Sequence, residues 1–280
     1  MYKVLSNKKI SSNSYEMVVE APLVVKKCMP GQFVIVMACE DSERIPLTIY
    51  DFDKEKGLLS LIYQVVGAST EELSLVKKEL FSVTGPLGNA NEICLHPEEY
   101  KDKKIVYVAG GVGIAPVYPQ VKYLHDLGFS IDVIYGARSA DLLLIRKKIE
   151  SVVKKIRYAT DDGSFGTKGR VTDVLEKNIE DYDICVAIGP VIMMKSVCEL
   201  TKKYKLKTIV SMNPLMVDGS GMCGACRCEV DGKPKFACIH GPEFDGHKIN
   251  FDLAMQRLKI YQEEEREKWD MMKKQVKEGE

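Results

Sequence analysis

Residues 213–250 hold few long apolar runs, yet they carry four potential ligands in a fixed pattern. The run is Asp218-Gly-Ser-Gly-Met-Cys223-Gly-Ala-Cys226-Arg-Cys228, and Cys238 follows a Gly-Lys-Pro turn. A segment this rich in turns needs a bound centre to organise it. Plant-type iron–sulfur proteins space three thiolates as Cys-x4-Cys-x2-Cys, with a fourth further on, around a two-iron two-sulfur (2Fe-2S) cluster. Here Cys223, Cys226 and Cys238 take the second, third and fourth positions, and Asp218 stands at the first. The pattern predicts single-electron transfer, with one iron held by an oxygen ligand.

Structural zinc is the rival reading, because Cys-x2-Cys with two further ligands also describes zinc and aspartate can ligate it. The glycines threaded between the ligands, Gly219, Gly221 and Gly224, favour the cluster: they let backbone amides approach bridging sulfides. Cys228 is a spare that could replace Cys226 or Asp218.

The other five cysteines, Cys28, Cys39, Cys94, Cys185 and Cys198, are scattered and mostly lie within or beside apolar runs. They read as small buried hydrophobes of a reducing cytosol, and a total of nine is odd for a disulfide scaffold. Lys plus Arg equals Asp plus Glu at 40 each, so no global field draws nucleic acid or an anionic membrane. The first residues lack the charged start and apolar run of a signal peptide. No stretch approaches the ~20 apolar residues that span a bilayer. A cytoplasmic protein is expected, with no nucleic-acid or membrane partner.

Strand and turn signals divide the chain. Over residues 1–97, β-rich runs at Val34–Val36, Leu58–Val66 and Phe81–Thr84 are bounded by Pro30-Gly31, Lys56-Gly57 and Gly85-Pro86-Leu87-Gly88, which predicts a small antiparallel barrel. Over residues 98–212, apolar strands at Lys104–Ala109, Ile131–Tyr135, Ile156–Ala159, Ile184–Ile188 and Thr208–Met212 alternate with helical patterns through His125, at Leu142–Val152 and at Ile192–Tyr204. That alternation predicts a doubly wound parallel sheet, an α/β domain. Residues 213–250 form the small cluster segment. Residues 251–280 read as a helical tail, either packed back on its own domain or docked on a partner subunit.

Three loops look suited to nucleotides. Gly110-Gly111-Val112-Gly113-Ile114-Ala115-Pro116 follows a buried strand and opens a helix, as a nucleotide loop does. Pro116 replaces the third glycine of the dinucleotide fingerprint, and Gly136-Ala137-Arg138-Ser139 lacks the acid that usually reads the ribose. Arg138 either favours a 2′-phosphate or pairs locally with Asp141. Gly189-Pro190 and Thr160-Asp161-Asp162-Gly163-Ser164 fall at strand C-terminal ends, the edge where open parallel sheets bind ligands. In the barrel region, Arg44-Ile45-Pro46-Leu47-Thr48-Ile49 offers a cation and a hydroxyl. Gly67-Ala68-Ser69-Thr70 reads as a helix N-terminus with free amides, or as an ordinary cap. No hydrolytic constellation emerges from the four histidines.

Taken in order, Arg-x-Pro-Leu-Thr, the Gly-Pro-Leu-Gly turn, Gly-Gly-x-Gly-x-Ala-Pro and the C-terminal cluster run resemble the ferredoxin–NADP reductase superfamily over essentially the whole chain. Within it, the sequence is similar to the electron-transfer subunits of dihydroorotate dehydrogenase B. It is similar too, and more closely, to the small subunits of NADH-dependent reduced ferredoxin:NADP oxidoreductases, the electron-bifurcating transhydrogenases also known as sulfide dehydrogenases. The aspartate at the first ligand position and the helical tail suit the latter.

The resemblance implies an oxidoreductase subunit with FAD on the barrel and NAD(H) on the α/β domain. Arg44 and Pro46 would lie at the flavin, with Arg44 at its pyrophosphate. Leu47, Thr48 and Ile49 would line the ring, and Thr48 would sit near N5 as the catalytic residue. Gly67, Ser69 and Thr70 would hold phosphate. Gly111, Gly113, Ile114, Ala115, Asp161, Asp162 and Gly189 would meet the nicotinamide dinucleotide, and Asp218, Cys223, Cys226 and Cys238 the cluster.

The implied activity exchanges a hydride between NAD(H) and FAD, then passes single electrons through the cluster. The implied partner is a larger glutamate-synthase-like flavoprotein that binds NADP and ferredoxin. The alternatives are a dihydroorotate dehydrogenase partner, or a zinc-stabilised nucleotide-binding protein without turnover.

Overall fold

The computed structural model describes residues 1–278. Seven strands build the first sheet: β1 (Tyr2–Lys9), β2 (Ser14–Glu20), β3 (Phe33–Met37), β4 (Ile45–Asp53), β5 (Leu58–Gln64), β6 (Glu79–Leu80) and β7 (Ser82–Leu87). They pair antiparallel in the order β6-β1-β2-β5-β4-β3-β7. The end strands β6 and β7 are joined by the single residue Phe81, so the sheet curls back on itself. Period-two alternation fills its interior with Met17, Val19, Val34, Val36, Leu47, Ile49, Leu59 and Leu61. Gly85-Pro86-Leu87, read above as a turn, continues β7 to Leu87.

The second sheet takes β8 (Ile105–Gly110), β9 (Asp132–Ala137), β10 (Lys155–Thr160), β11 (Thr167–Lys168), β12 (Ile184–Ile188) and β13 (Lys207–Ser211). A hairpin of β14 (Arg227–Val230) and β15 (Lys233–Phe236) stands apart, and β16 (Glu243–Asp245) returns to the second sheet. Its order is β11-β10-β9-β8-β12-β13-β16, parallel throughout except for β16, which runs antiparallel to β13. The sheet is therefore doubly wound and mixed at one edge. The hairpin turn falls at Asp231-Gly232, both left-handed, and not at the Gly-Lys-Pro step, because Lys233 and Pro234 are already in β15.

Alternate residues of β8 serve opposite faces. Val106 and Val108 pack toward Val171–Glu176 and Val191–Lys203; Ile105, Tyr107 and Ala109 pack toward Ile114–Asp126. Burial on both faces explains why these strands read as unbroken apolar runs. The pattern at Leu142–Val152 yields only a short helix, Arg146–Glu150, because Ile145 adopts φ 48° and breaks the helical path ahead of it. Among the other cysteines Cys28, Cys94, Cys185 and Cys198 are buried, whereas Cys39 is exposed and lies against Ser42 and Glu72.

The tail forms two helices, Phe251–Arg257 and Gln262–Glu278, in place of one. Glu263, Glu264 and Glu265 fall in the second helix's first turn, where the dipole favours acids, and this restarts the helix after a turn. Lys268 pairs with Glu43, in the loop ahead of β4, at 2.6 Å, so the tail touches its own chain there. Residues 279 and 280 of the expected tail lie outside the described residues.

Candidate redox site

On β4 the inward residues Leu47 and Ile49 are buried in the barrel, which leaves only their backbone for a ligand. Pro46 and Thr48 face outward beside Ile35 and Phe33 of β3. Neither Ile35 nor Phe33 joins the barrel interior; both pack with the second sheet and the cluster segment. Tyr50 faces outward by the same alternation, and its ring meets Tyr118 of the helix Ile114–Asp126 with centroids 5.2 Å apart. Lys122 to Asp51 at 2.9 Å and Lys148 to Glu16 at 3.0 Å brace the same contact. Burial pushes the Tyr50 hydroxyl up to about 12, so it stays neutral there.

Gly67 caps the helix Ala68–Leu75, and Thr70 Oγ1 accepts the amides of Val66 and Gly67 at 2.9 and 3.1 Å. Ser69 donates to Glu43. Arg44 does not point freely at a phosphate. Its Nε donates to the Val217 carbonyl at 2.8 Å, and its Nη2 to the carbonyl of Asp218 at 3.4 Å.

The glycine loops meet where the sheet order reverses. β8 leads to β9 on one side and has β12 on the other, so a crevice opens between the C-terminal ends of β8 and β12. A Cβ on Gly113 would lie 2.3 Å from the Ile188 carbonyl, and one on Gly189 would lie 3.0 Å from the Gly110 amide. Only glycine allows this approach, and it brings Gly111, Gly113, Ile114 and Ala115 to the same edge as Gly189. Asp161 and Asp162 sit exposed at the end of β10, where Asp162 accepts the Ser164 amide and hydroxyl; those bonds lower its pKa. Asp141 takes its hydrogen bond from Ser139 and makes no ion pair with Arg138 among the described residues.

In the cluster segment, Cys226 Sγ donates to Cys238 Sγ at 3.2 Å; both are buried and neither is in a disulfide. Burial, reinforced by Cys226, pushes the Cys238 thiol up to about 12, so the pair needs a cationic centre to hold two thiolates. The Cys238 amide points at the Cys226 sulfur at 3.5 Å. Gly219, Gly221 and Gly224 all have positive φ, between 67° and 81°. Cys223 is exposed on the loop, and Asp218 accepts from Ser220. Among the described residues the four do not converge as the ligands of a single metal ion would. A close sulfur pair, a glycine-shaped loop and an inward amide fit a cluster. Cys228 is buried in the same core, and burial raises it to about 11.

The loop is seated on the barrel. A Cβ on Gly219 would come within 2.9 Å of both Leu87 and Ile35, next to the outward face of β4. A cavity of about 710 Å³ lies alongside, lined by Met37, Arg44, Met216, Cys228, Arg257 and Lys268 among others. Sequence reasoning missed Arg257, Tyr118 and Glu243. Glu243 accepts from Asn91 at 2.7 Å and Gln120 at 2.8 Å, and no local motif announces that contact.

Comparison with known proteins agrees with this architecture. Residues 213–250 match the model of the iron-sulfur cluster binding domain of dihydroorotate dehydrogenase B, and residues 107–199 that of the oxidoreductase NAD-binding domain. A Thermotoga maritima homologue of the dihydroorotate dehydrogenase B electron-transfer subunit is 41% identical, covering 99% of this chain and 98% of its own. The electron-transfer subunit of Clostridium acetobutylicum dihydroorotate dehydrogenase B is 33% identical over 88% of this chain and 95% of its own. A solved structure of NADH-dependent reduced ferredoxin-NADP oxidoreductase, described for flavin-based electron bifurcation, superposes with a TM-score of 0.89 at 39% identity, covering 97% of this chain and 98% of that one. No described helix is long and apolar enough to cross a membrane. The chain belongs to the family of dihydroorotate dehydrogenase B electron-transfer subunits and their homologues, NAD-linked flavin and iron–sulfur oxidoreductase subunits of the ferredoxin–NADP reductase type.

Proposed function

We propose that this chain is the NAD(H)-linked small subunit of an electron-bifurcating ferredoxin:NADP transhydrogenase, working with a larger glutamate-synthase-like flavoprotein in the cytoplasm. The observation that carries it is the position of the outward face of β4. The helix behind the Gly111–Gly113 loop reaches it through Tyr118 and Tyr50. The cluster loop reaches its neighbour β3 through Gly219 and Ile35. When bound, nicotinamide transfers two electrons at once and the cluster one, and the flavin converts between them.

The chain's own residues bind and orient. Thr48 would present its hydroxyl to the flavin ring, and Pro46 with the backbone of Leu47 and Ile49 would form a wall beside it. Gly67, Ser69 and Thr70 would hold the flavin's phosphates, with Arg44 bordering them while engaged with the cluster loop. Gly111, Gly113, Ile114, Ala115 and Gly189 would seat the nicotinamide dinucleotide at the crevice, with Asp161 and Asp162 at its rim. Asp218, Cys223, Cys226 and Cys238 would hold the irons.

Support for the transhydrogenase over a dihydroorotate dehydrogenase partner comes from Asp218 at the first ligand position and from the helical tail after Phe251. The test is anaerobic purification from the native host. Bound flavin, about two irons and two sulfides per chain, and a co-purifying large flavoprotein that reduces NADP from NADH and reduced ferredoxin are expected. Colourless protein containing zinc would overturn the reading. A partner that oxidises dihydroorotate with NAD would move the chain to the alternative.

A further inference from the structure

Two arginines on the wall of one cavity hold the cluster loop at two places. Arg44, from the start of β4, donates to the carbonyls of Val217 and Asp218. Arg257, the last residue of the helix Phe251–Arg257, donates Nη2 to the Ala225 carbonyl at 3.1 Å, between Cys223 and Cys226. Both line the 710 Å³ cavity, and neither forms an ion pair among the described residues. Lys268 on the same wall is different, being neutralised by Glu43 at 2.6 Å. The Arg257 Nε is buried without a protein acceptor.

We propose that Arg44 and Arg257 are paired positioning residues for the iron–sulfur loop, and that their unneutralised charges raise the reduction potential of the cluster. The physical case is Coulombic. Reduction adds one negative charge to the cluster, and a cation fixed in the partly buried loop stabilises the reduced form more than the oxidised form. A guanidinium suits the task because its planar fork serves two carbonyls at once while remaining charged at all accessible pH values.

The inference rests on the cluster reading above, and one experiment separates the two. Wild-type, Arg257→Gln, Arg257→Lys and Arg44→Gln proteins are purified anaerobically as full chains. Iron, sulfide and flavin are counted, and the cluster is titrated by EPR. Both glutamine variants are expected to titrate at lower potential than wild type. Arg257→Lys is expected to restore the potential but not the wild-type EPR line shape, because it keeps the charge and loses the guanidinium's bond to the Ala225 carbonyl. Unchanged potentials in cluster-bearing glutamine variants would overturn the proposal and leave the cluster reading intact. If Arg257→Gln assembles no cluster, recovery of loading and potential by Arg257→Lys supports the proposal, and failure to recover overturns it. Wild-type protein lacking iron and sulfide would instead end the cluster reading itself.

Discussion

Asn91 donates its side-chain amide to Glu243 Oε2 at 2.7 Å, tying the chain just after the last barrel strand to β16 near the end of the cluster segment. Gln120, on the helix behind the glycine loop, donates to the other oxygen at 2.8 Å. One carboxylate therefore joins three parts of the molecule. Burial pushes Glu243 up to about 7; the Asn91 and Gln120 donors oppose that rise and the nearby Glu92 adds to it.

A raised carboxylate favours the protonated fold. Its contribution to stability is fully present below about pH 4.5, the value of an unperturbed glutamate, and is lost as pH rises through about 7. Glu243→Gln cannot ionise, so its unfolding free energy should fall less between pH 5 and 8 than that of wild type, by at most about 3 kcal/mol. Denaturant melts across that range decide. Parallel profiles for the two proteins would remove the role given to this carboxylate.

Gly113→Ala should damage the crevice. The added Cβ would stand 2.3 Å from the Ile188 carbonyl, a backbone atom that cannot swing away. A cost of about 1–3 kcal/mol is expected from such overpacking, with NAD(H) affinity weakened by roughly tenfold or more. Gly67→Ala is the contrast, since nothing lies within 4 Å of its Cβ position and its φ of −170° suits any residue. Thermal melts and nucleotide titration of both variants check this; equal behaviour would contradict it.

Asp218→Cys should retain a cluster and shift its midpoint potential, because a thiolate donates differently from a carboxylate. An EPR-monitored redox titration reads the shift directly. Identical potentials would mean that Asp218 is not a ligand. Since Arg44 bonds the Asp218 backbone and not its side chain, the substitution leaves that clamp in place.

The sequence by itself determined the elements whose signals are local. Ile105–Gly110 followed by the glycine loop was legible because a strand buried on both faces must be apolar throughout, and the loop needs glycine where β8 and β12 touch. The spacing of Cys223, Cys226 and Cys238 was legible because ligation chemistry imposes it within a few residues. The barrel was legible as a class through its turns, although Tyr2–Lys9 carries too many polar residues to announce a strand alone.

Tertiary structure alone decided what depends on distant partners. Arg44 and Asp218 are 174 residues apart, and Asn91 and Glu243 are 152 apart, so nothing in either neighbourhood encodes the meeting. β16 joins the second sheet because β13 offers an unpaired edge, and β13 lies outside the segment that supplies β16. Local periodicity and ligand spacing are written residue by residue. The charges set around a site are fixed only when the folded chain brings separate segments within hydrogen-bonding distance.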